Sequence, residues 1–487
     1  MAISQRNTPG MQKQLQIRKR LKRAFNHRTH TLDKPFVQLN PYQVAPLTAF
    51  IQFTTPKPAS VTITIHGDTP IEKTLPGYHT IHRIPVIGLY ANKKNRITIE
   101  ATTHSGQTKS NTIKLKTQAL PKDFLRVNVG KADTERMEKG LTFIVPSAHY
   151  PFAIDDKGKV RWYSTINVRQ LFKPLTNGNF LIYSKSNKES KHNRIMEIDL
   201  LGQIYNTNTI YSKSTVPKTA INTDAVKLSN NNLLVTTHEE TPDSVEDNLT
   251  EINQESGNAV NKLRYQSLFP EDFSQNEGDW LHNNSIWVDE NDRTIIMTAR
   301  HQDMVMKHSF PNGEIDWILA SPDNWPAAME QYLLTPIGEH FKYPGGPHAV
   351  TALPDQDGNP ETIDILLFDN NHVLRRGNQQ ISQKYSRAVQ YRIHETNKTV
   401  EEIWTYGEER GEAFFSPIVG DADLLPETNN RLITSGYIKT GKGRSSKIVE
   451  VTNYQPGEDV FEVTISGFAP ESKQHVFRAA RWKVPGT

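Results

Sequence analysis

Three side chains in the second half of this sequence have types that suit movement of an anionic group: His282, Arg300 and His348. An imidazole is largely neutral near pH 7 and serves as a nucleophile or as a proton donor. A guanidinium offers a planar fork of donors that holds two oxygens at once. Paired imidazoles beside a guanidinium therefore fit transfer of a trigonal anionic group. The chain contains no cysteine, which excludes thiolate nucleophiles, thiolate metal sites and disulfides. With 17 histidines present, most must be structural or exposed, so only their position can single out the two that matter.

Position comes from a repeat. Beyond Lys122 a loose unit recurs at a period of roughly 50 to 65 residues, long for a propeller blade but feasible with large loops. Each unit opens with a polar turn before an apolar strand: 176–179 before 180–183, 229–232 before 233–235, 289–293 before 294–297, 357–359 before 363–368, and 428–430 before 432–434. A second hairpin carries a tryptophan on its outgoing strand, as at Trp162, Trp317 and Trp404. Two hairpins make a four-stranded blade. These units, with residues 476–483 and the segment after Lys122 closing the ring, predict an all-β fold: a six-bladed β-propeller over residues 122–487. The first strand of each blade lies innermost, and His282 and His348 fall at the entrances of two such strands in adjacent blades. Arg300 ends the strand antiparallel to the one that His282 begins, which brings both to one mouth.

Residues 36–118 alternate apolar and polar residues in short runs, as from Val61 to Ile65, Arg96 to Ile99 and Thr112 to Leu115. That period of two predicts antiparallel strands with one buried face, hence a small N-terminal β-sandwich domain. Pro121 interrupts the pattern and marks a linker at 118–122. Residues 1–35 form a basic arm: the first 30 hold eight Lys/Arg and no acid, and supply much of the net charge of +4. A solvated arm or short helix with Leu15, Leu21 and Phe25 as its apolar residues is the simplest reading, so neither a nucleic-acid nor a membrane partner is expected. The arm lacks the apolar run of a secretory signal and no segment reads as a transmembrane helix, so a cytoplasmic location is expected. For the same reason the glycosylation acceptor patterns at Asn248 and Asn283 carry no weight.

Other signals compete less well. Residues 436–443 nearly spell a phosphate-binding loop, but Gly443 stands where a Ser/Thr would reach magnesium, and the run lies between strands, as a hairpin loop would. A metal held by His282, His301, His348 and Asp369 would suit a hydrolase. Arg300 would repel that ion, and adjacent strand residues such as Arg300 and His301 should face opposite sides. No metal and no cofactor are therefore expected, and the recurring tryptophans read as blade packing.

The run Asp279-Trp280-Leu281-His282-Asn283-Asn284-Ser285, then Thr298-Ala299-Arg300-His301-Gln302, then Gly346-Pro347-His348 resembles the bacterial arylsulfate sulfotransferases. Residues 40–49 look like the start of that family's N-terminal domain. Tyr385-Ser386-Arg387-Ala388-Val389 and Trp404-Thr405-Tyr406-Gly407 follow in the expected order, so the resemblance spans residues 36–487. It implies a six-bladed propeller that moves a sulfuryl group from a phenolic sulfate ester to another phenol, in ping-pong fashion through a sulfohistidine, without a nucleotide donor. By the same resemblance His348 is the nucleophile, and Arg300, His282 and Asn284 hold the sulfuryl oxygens, with His282 also protonating the leaving phenolate. Charge spread over three oxygens makes fixed donors the main contributors to such a transfer. The chain departs from the family where a His-His-Asp run is usual and Asn222-Thr223-Asp224 stands instead. Asn222 and Thr223 can hydrogen-bond a sulfuryl oxygen, but neither carries charge as an imidazolium does. The alternative reading is a catalytically impaired propeller that binds an anionic ligand or a partner protein. A homodimer is left open by the sequence.

Overall fold

The structure is a computed structural model that describes residues 2–5, 9–147, 150–185, 192–211, 221–237, 248–271, 273, 279–441, 443–469 and 472–484. In the first domain the alternating runs join into two long antiparallel strands, Thr48–Ile65 and Ile71–Ile87. The first half of Thr48–Ile65 also pairs with Phe36–Leu39, and its second half with Lys94–Thr103, to which Thr108–Lys116 adds. Between the halves the ladder skips from Thr54 to Ala59, across Pro56 and Pro58, which have no N–H to donate. One folded sheet thus buries Ile51, Phe53, Ile63, Ile84 and Ile97 in an apolar core that continues into the propeller at Phe152, Leu432 and Phe461.

From Leu141 onward, the described residues form six sheets that each contain four consecutive hydrogen-bonded strands. Their leading strands are Val168–Pro174, Ile221–Lys227, Asn283–Asp289, His348–Ala352, Asp421–Leu424 and Val476–Trp482, and each neighbours the next around a closed ring. The molecule is an all-β propeller. Val476–Trp482, the last strand, pairs with Leu141–Pro146 and so completes the first sheet with residues from the far end of the chain. Arg126–Ala132 instead joins the outer edge of the last sheet.

The tryptophans of the repeat hold adjacent sheets together. Trp162 and Trp317 lie on the outermost strand of their sheets, Trp404 lies on Thr399–Tyr406 with only the short strand Thr335–Ile337 outside it, and all three are buried. Their indole N–H groups donate to Leu200 O at 2.7 Å, Glu395 Oε1 at 2.8 Å and Tyr454 O at 3.2 Å, each in the outer turn of the following sheet. An aromatic body in the core with one polar handle satisfied is the arrangement that buried tryptophan needs.

A buried ion pair of the propeller reaches into the first domain. Arg161, on an outer propeller strand, bonds Asp155 at 2.9 Å and also donates to Gly88 O at 2.8 Å and Thr69 O at 2.7 Å in the first domain. The basic arm is folded onto the propeller. Residues Ala2–Gln5 pair with the edge strand Ile204–Tyr211, and the helix Pro9–Ala24 buries Ile17 and Leu21 beside Leu200, Leu201 and Ile204. Its Leu15 remains exposed. No helix among the described residues is long and apolar enough to cross a membrane. Residues Arg431–Thr440 and Gly443–Val451 make a hairpin, so the run 436–443 covers the end of its first strand, its turn at Gly441 and the start of its second strand; Lys442 lies outside the described residues.

Candidate functional site

The entrances of the leading strands are irregular in a repeated way. Thr223, His282 and Ala349 have left-handed backbone with φ of 31°, 55° and 57°, as do Gln170 and Val419 at other entrances. Pairing slips at the same places, between Asn283 and Ser285 and between His348 and Thr351. A bulge with left-handed residues re-aims the side chains beside it, and such strain is concentrated at functional sites. The repeat therefore places distorted backbone at one mouth of the channel, where His282 and His348 sit.

His348 is 5 % exposed. Its Nδ1 lies 2.5 Å from Asn370 Oδ1 and 3.2 Å from Gly346 O. Asn370 Nδ2 donates to Ser416 O and Val419 O, at 2.6 and 3.0 Å, which fixes the amide so that Oδ1 faces the histidine. Both partners of Nδ1 are acceptors, so Nδ1 carries the hydrogen and Nε2 keeps its lone pair. Burial, reinforced by the Arg300 charge and by His282, pushes His348 down to about 3. It is a neutral imidazole near pH 7, with its basic nitrogen chosen by Asn370.

His282 is built similarly. Its Nδ1 lies 2.9 Å from Asp279 Oδ2, so Nδ1–H donates to the carboxylate and Nε2 is the nitrogen that Asp279 leaves unengaged. Burial raises Asp279, but the hydrogen bond and charge of His282, with His301 and Arg300, outweigh it and hold this carboxyl below its usual range. Arg300 N donates to His282 O at 3.2 Å, which puts the arginine at the same mouth. The strand ends at Ala299, however, and Arg300–Gln302 is a 3-10 turn. This corrects the expectation that Arg300 and His301 face opposite sides, because strand alternation stops one residue earlier. Arg300 Nη1 donates to His301 Nε2 at 2.7 Å, His301 Nδ1 bonds Asp279 O at 2.5 Å, and the His301 and His282 rings stack at 4.4 Å.

Asp279, His282 and His301 lie close enough to share an ion. Both nitrogens of His301 are already engaged, and Arg300 adds a positive charge, so the group fits a hydrogen-bond relay better than a metal centre. Asp369 does not join them: its carboxylate bonds Arg387 at 3.0 Å and the N–H groups of Gly345 and Asn371 at 2.8 Å.

The remaining sequence candidates divide. Asn284 is buried, donating to Pro347 O at 3.0 Å and accepting from Thr298 at 2.7 Å, so it ties down the residue before His348. The Thr223 hydroxyl donates to Asn283 O at 3.0 Å and belongs to the channel wall. The side chain of Asn222 lies outside the described residues. Sequence reasoning missed Asn370, Asp279 and Asp303. Asp303 accepts from Gly346 N at 2.8 Å and from the N–H groups of Leu374, Arg375 and Arg376, joining the Arg300 turn to the turn before His348. Asp279 was legible three residues before His282, whereas the other two act across folded loops.

Residues 126–478 match the family model described as Arylsulfotransferase (ASST), and residues 36–118 match the Arylsulfotransferase Ig-like domain. An arylsulfate sulfotransferase AssT of Escherichia coli O6:H1 is 27% identical over 218 residues, covering 40% of this chain and 35% of that protein. A protein of the same name from Lelliottia amnigena is 29% identical over 220 residues, covering 41% and 35%. The matched part spans about a third of the length of these curated relatives. Among solved structures, a periplasmic gluconolactonase of Pseudomonas aeruginosa aligns over 86% of this chain and 99% of its own, at 10% identity and a TM-score of 0.32, too slight a likeness to carry an argument. The two family models together take in most of the sequence, domain by domain, and the chain belongs to the arylsulfotransferase family.

Proposed function

We propose that the protein transfers a sulfuryl group from a phenolic sulfate ester to a second phenol, with His348 as covalent carrier. The observation that supports this most is the His348–Asn370 contact, which presents a neutral imidazole with its lone pair on Nε2 beside a guanidinium. In the first half-reaction Nε2 attacks sulfur and the sulfur–oxygen bond to the aryl group breaks, its electron pair leaving on the phenolate. His282 in its protonated form, held by Asp279, gives that oxygen a proton. The sulfated ring of His348 becomes positive, which strengthens the bond from Nδ1–H to Asn370 just as charge develops. Arg300 stabilises the sulfuryl oxygens in flight. In the second half-reaction neutral His282 takes the proton of an incoming phenol, whose oxygen attacks sulfur and releases Nε2. Phenols, with pKa of about 10, serve equally as leaving groups and acceptors.

The test mixes the protein with 4-nitrophenyl sulfate, with and without phenol, beside a His348→Ala control. Nitrophenolate release that requires phenol and vanishes in the variant is expected. Release that persists in His348→Ala would remove His348 as carrier. No release from several aryl sulfates would favour the alternative of a propeller that binds anions without turnover, a reading motivated by Thr223 having its hydroxyl engaged where the family usually places an imidazole.

A further inference from the structure

The end of the channel away from His348 holds groups that sulfuryl transfer does not use. The strand His348–Ala352 runs down the channel at about 3.3 Å per residue, so its far end lies ~13 Å from the histidine. There a cavity of ≈ 680 Å³ opens between the far ends of four leading strands. Asp421 and Asp423 alternate on one of them and so share the channel face. Asp421 is 6 % exposed, and its carboxyl has no hydrogen bond or ion pair among the described residues. Arg478 acts electrostatically on both carboxyls, and its buried Nε also lacks a partner. Lys173 is already matched by Asp224 at 2.5 Å. Trp482 completes the lining, packed against Phe172 and Phe180 with ring centroids 5.7 and 5.0 Å away.

These features select one ligand chemistry. Burial raises both aspartates, Asp421 further through Asp423 beside it and Asp423 to about 6, while Arg478 and Lys173 act in the opposite sense. The cavity lining carries four acidic side chains, Glu138, Asp421, Asp423 and Glu427, and four basic ones, Lys173, Arg478, Arg481 and Lys483, so neither sign is in excess. A free ion would leave one sign uncompensated, and a plain hydrocarbon ring would leave Asp421 and Arg478 unbonded. Hydroxyl groups both donate and accept without charge. We propose that this far mouth binds a neutral polyhydroxylated ring of the sugar class, whose hydroxyls bridge Asp421, Asp423 and Arg478 while a ring face rests on Trp482. The site is separate from the His348 mouth and does not depend on the reaction proposed there.

Calorimetric titration of the full chain with cellobiose, maltose and lactose tests this, with cyclohexanol as a ring of similar size bearing one hydroxyl. The expected result is binding of at least one disaccharide, none of cyclohexanol, and affinity reduced about tenfold or more in Arg478→Met and Trp482→Ala. Because Trp482 also packs in the core, Arg478→Met keeps the test decisive if Trp482→Ala fails to fold. Saturating 4-nitrophenyl sulfate should leave the titration unchanged. Absence of binding by all three sugars, equal binding of cyclohexanol, full affinity in Arg478→Met, or competition by the aryl sulfate would each overturn the proposal.

Discussion

Replacing Asn370 by alanine removes the acceptor that holds His348 Nδ1–H while leaving Arg300 and His282 in place. A positioning role predicts that kcat for aryl sulfate turnover falls about 10- to 100-fold with little change in KM, since small misplacements of a reacting atom are costly. Histidine ¹⁵N spectra should show His348 as a single Nδ1–H tautomer in the parent and a mixture in Asn370→Ala; an unchanged tautomer would mean that another group sets it. Burial also fixes the pH behaviour of this residue. Its folded value is depressed to about 3 from 6.5, so the unfolded chain takes up a proton first as pH falls, and the histidine's contribution to stability weakens between those two values. In the same window the folded ring should remain neutral by NMR, and any acid loss of turnover between pH 5 and 7 belongs to another group. At this scale the convergence of His282, Arg300 and His348 on one mouth was legible in the sequence, because the two histidines open leading strands of the repeat and Arg300 ends the strand paired with that of His282. Asn370 and Asp303 were not, because each acts through loops that only the closed ring brings together.

Strand periodicity located the blades but not the way their entrances bend. The apolar runs at 180–183, 233–235 and 294–297 are all second strands of their sheets, each facing a leading strand that is less apolar and harder to read. Alternation is a rule of regular strands, and it failed where Arg300 leaves the strand for a 3-10 turn. The tryptophan repeat was read correctly as packing, and its physical content is specific: one hydrogen bond to the next sheet from each indole. Trp317→Phe keeps the aromatic face but leaves Glu395 without the indole N–H, and should destabilise the protein by about 1–3 kcal/mol. Urea unfolding at neutral pH would show this as a lower midpoint with an unchanged slope; an unchanged midpoint would assign the indole to shape alone.

Across the whole molecule, the ring depends on its last strand and on a channel lined with charge. Asp421 stands out because a buried carboxyl with no hydrogen bond among the described residues and with Asp423 as a like-charged neighbour is a poor choice for stability. Its folded value is raised, so its contribution to stability is fully present below the unfolded pKa and is lost as pH rises through the folded one. Asp421→Asn should therefore match the parent in acid and exceed it in stability at pH 8, in denaturation series at both pH values. Equal stability at pH 8 would mean that the carboxyl is already matched by charge. A residue that weakens the fold in this way is the kind retained for binding.

At the same scale, the sequence already marked the order of a small β domain followed by a propeller. It did not reveal that the basic arm would fold back as a strand and helix on the second sheet, because its few apolar residues are interrupted by charge. The measurement that bears most directly on the function is peptide mass spectrometry after mixing with 4-nitrophenyl sulfate in the absence of any phenol acceptor, kept at neutral to alkaline pH. The mass of one sulfuryl group on the peptide containing His348, removed when phenol is added, is the predicted result. Turnover with the sulfuryl group on another residue, or with no protein adduct at all, would contradict transfer through His348.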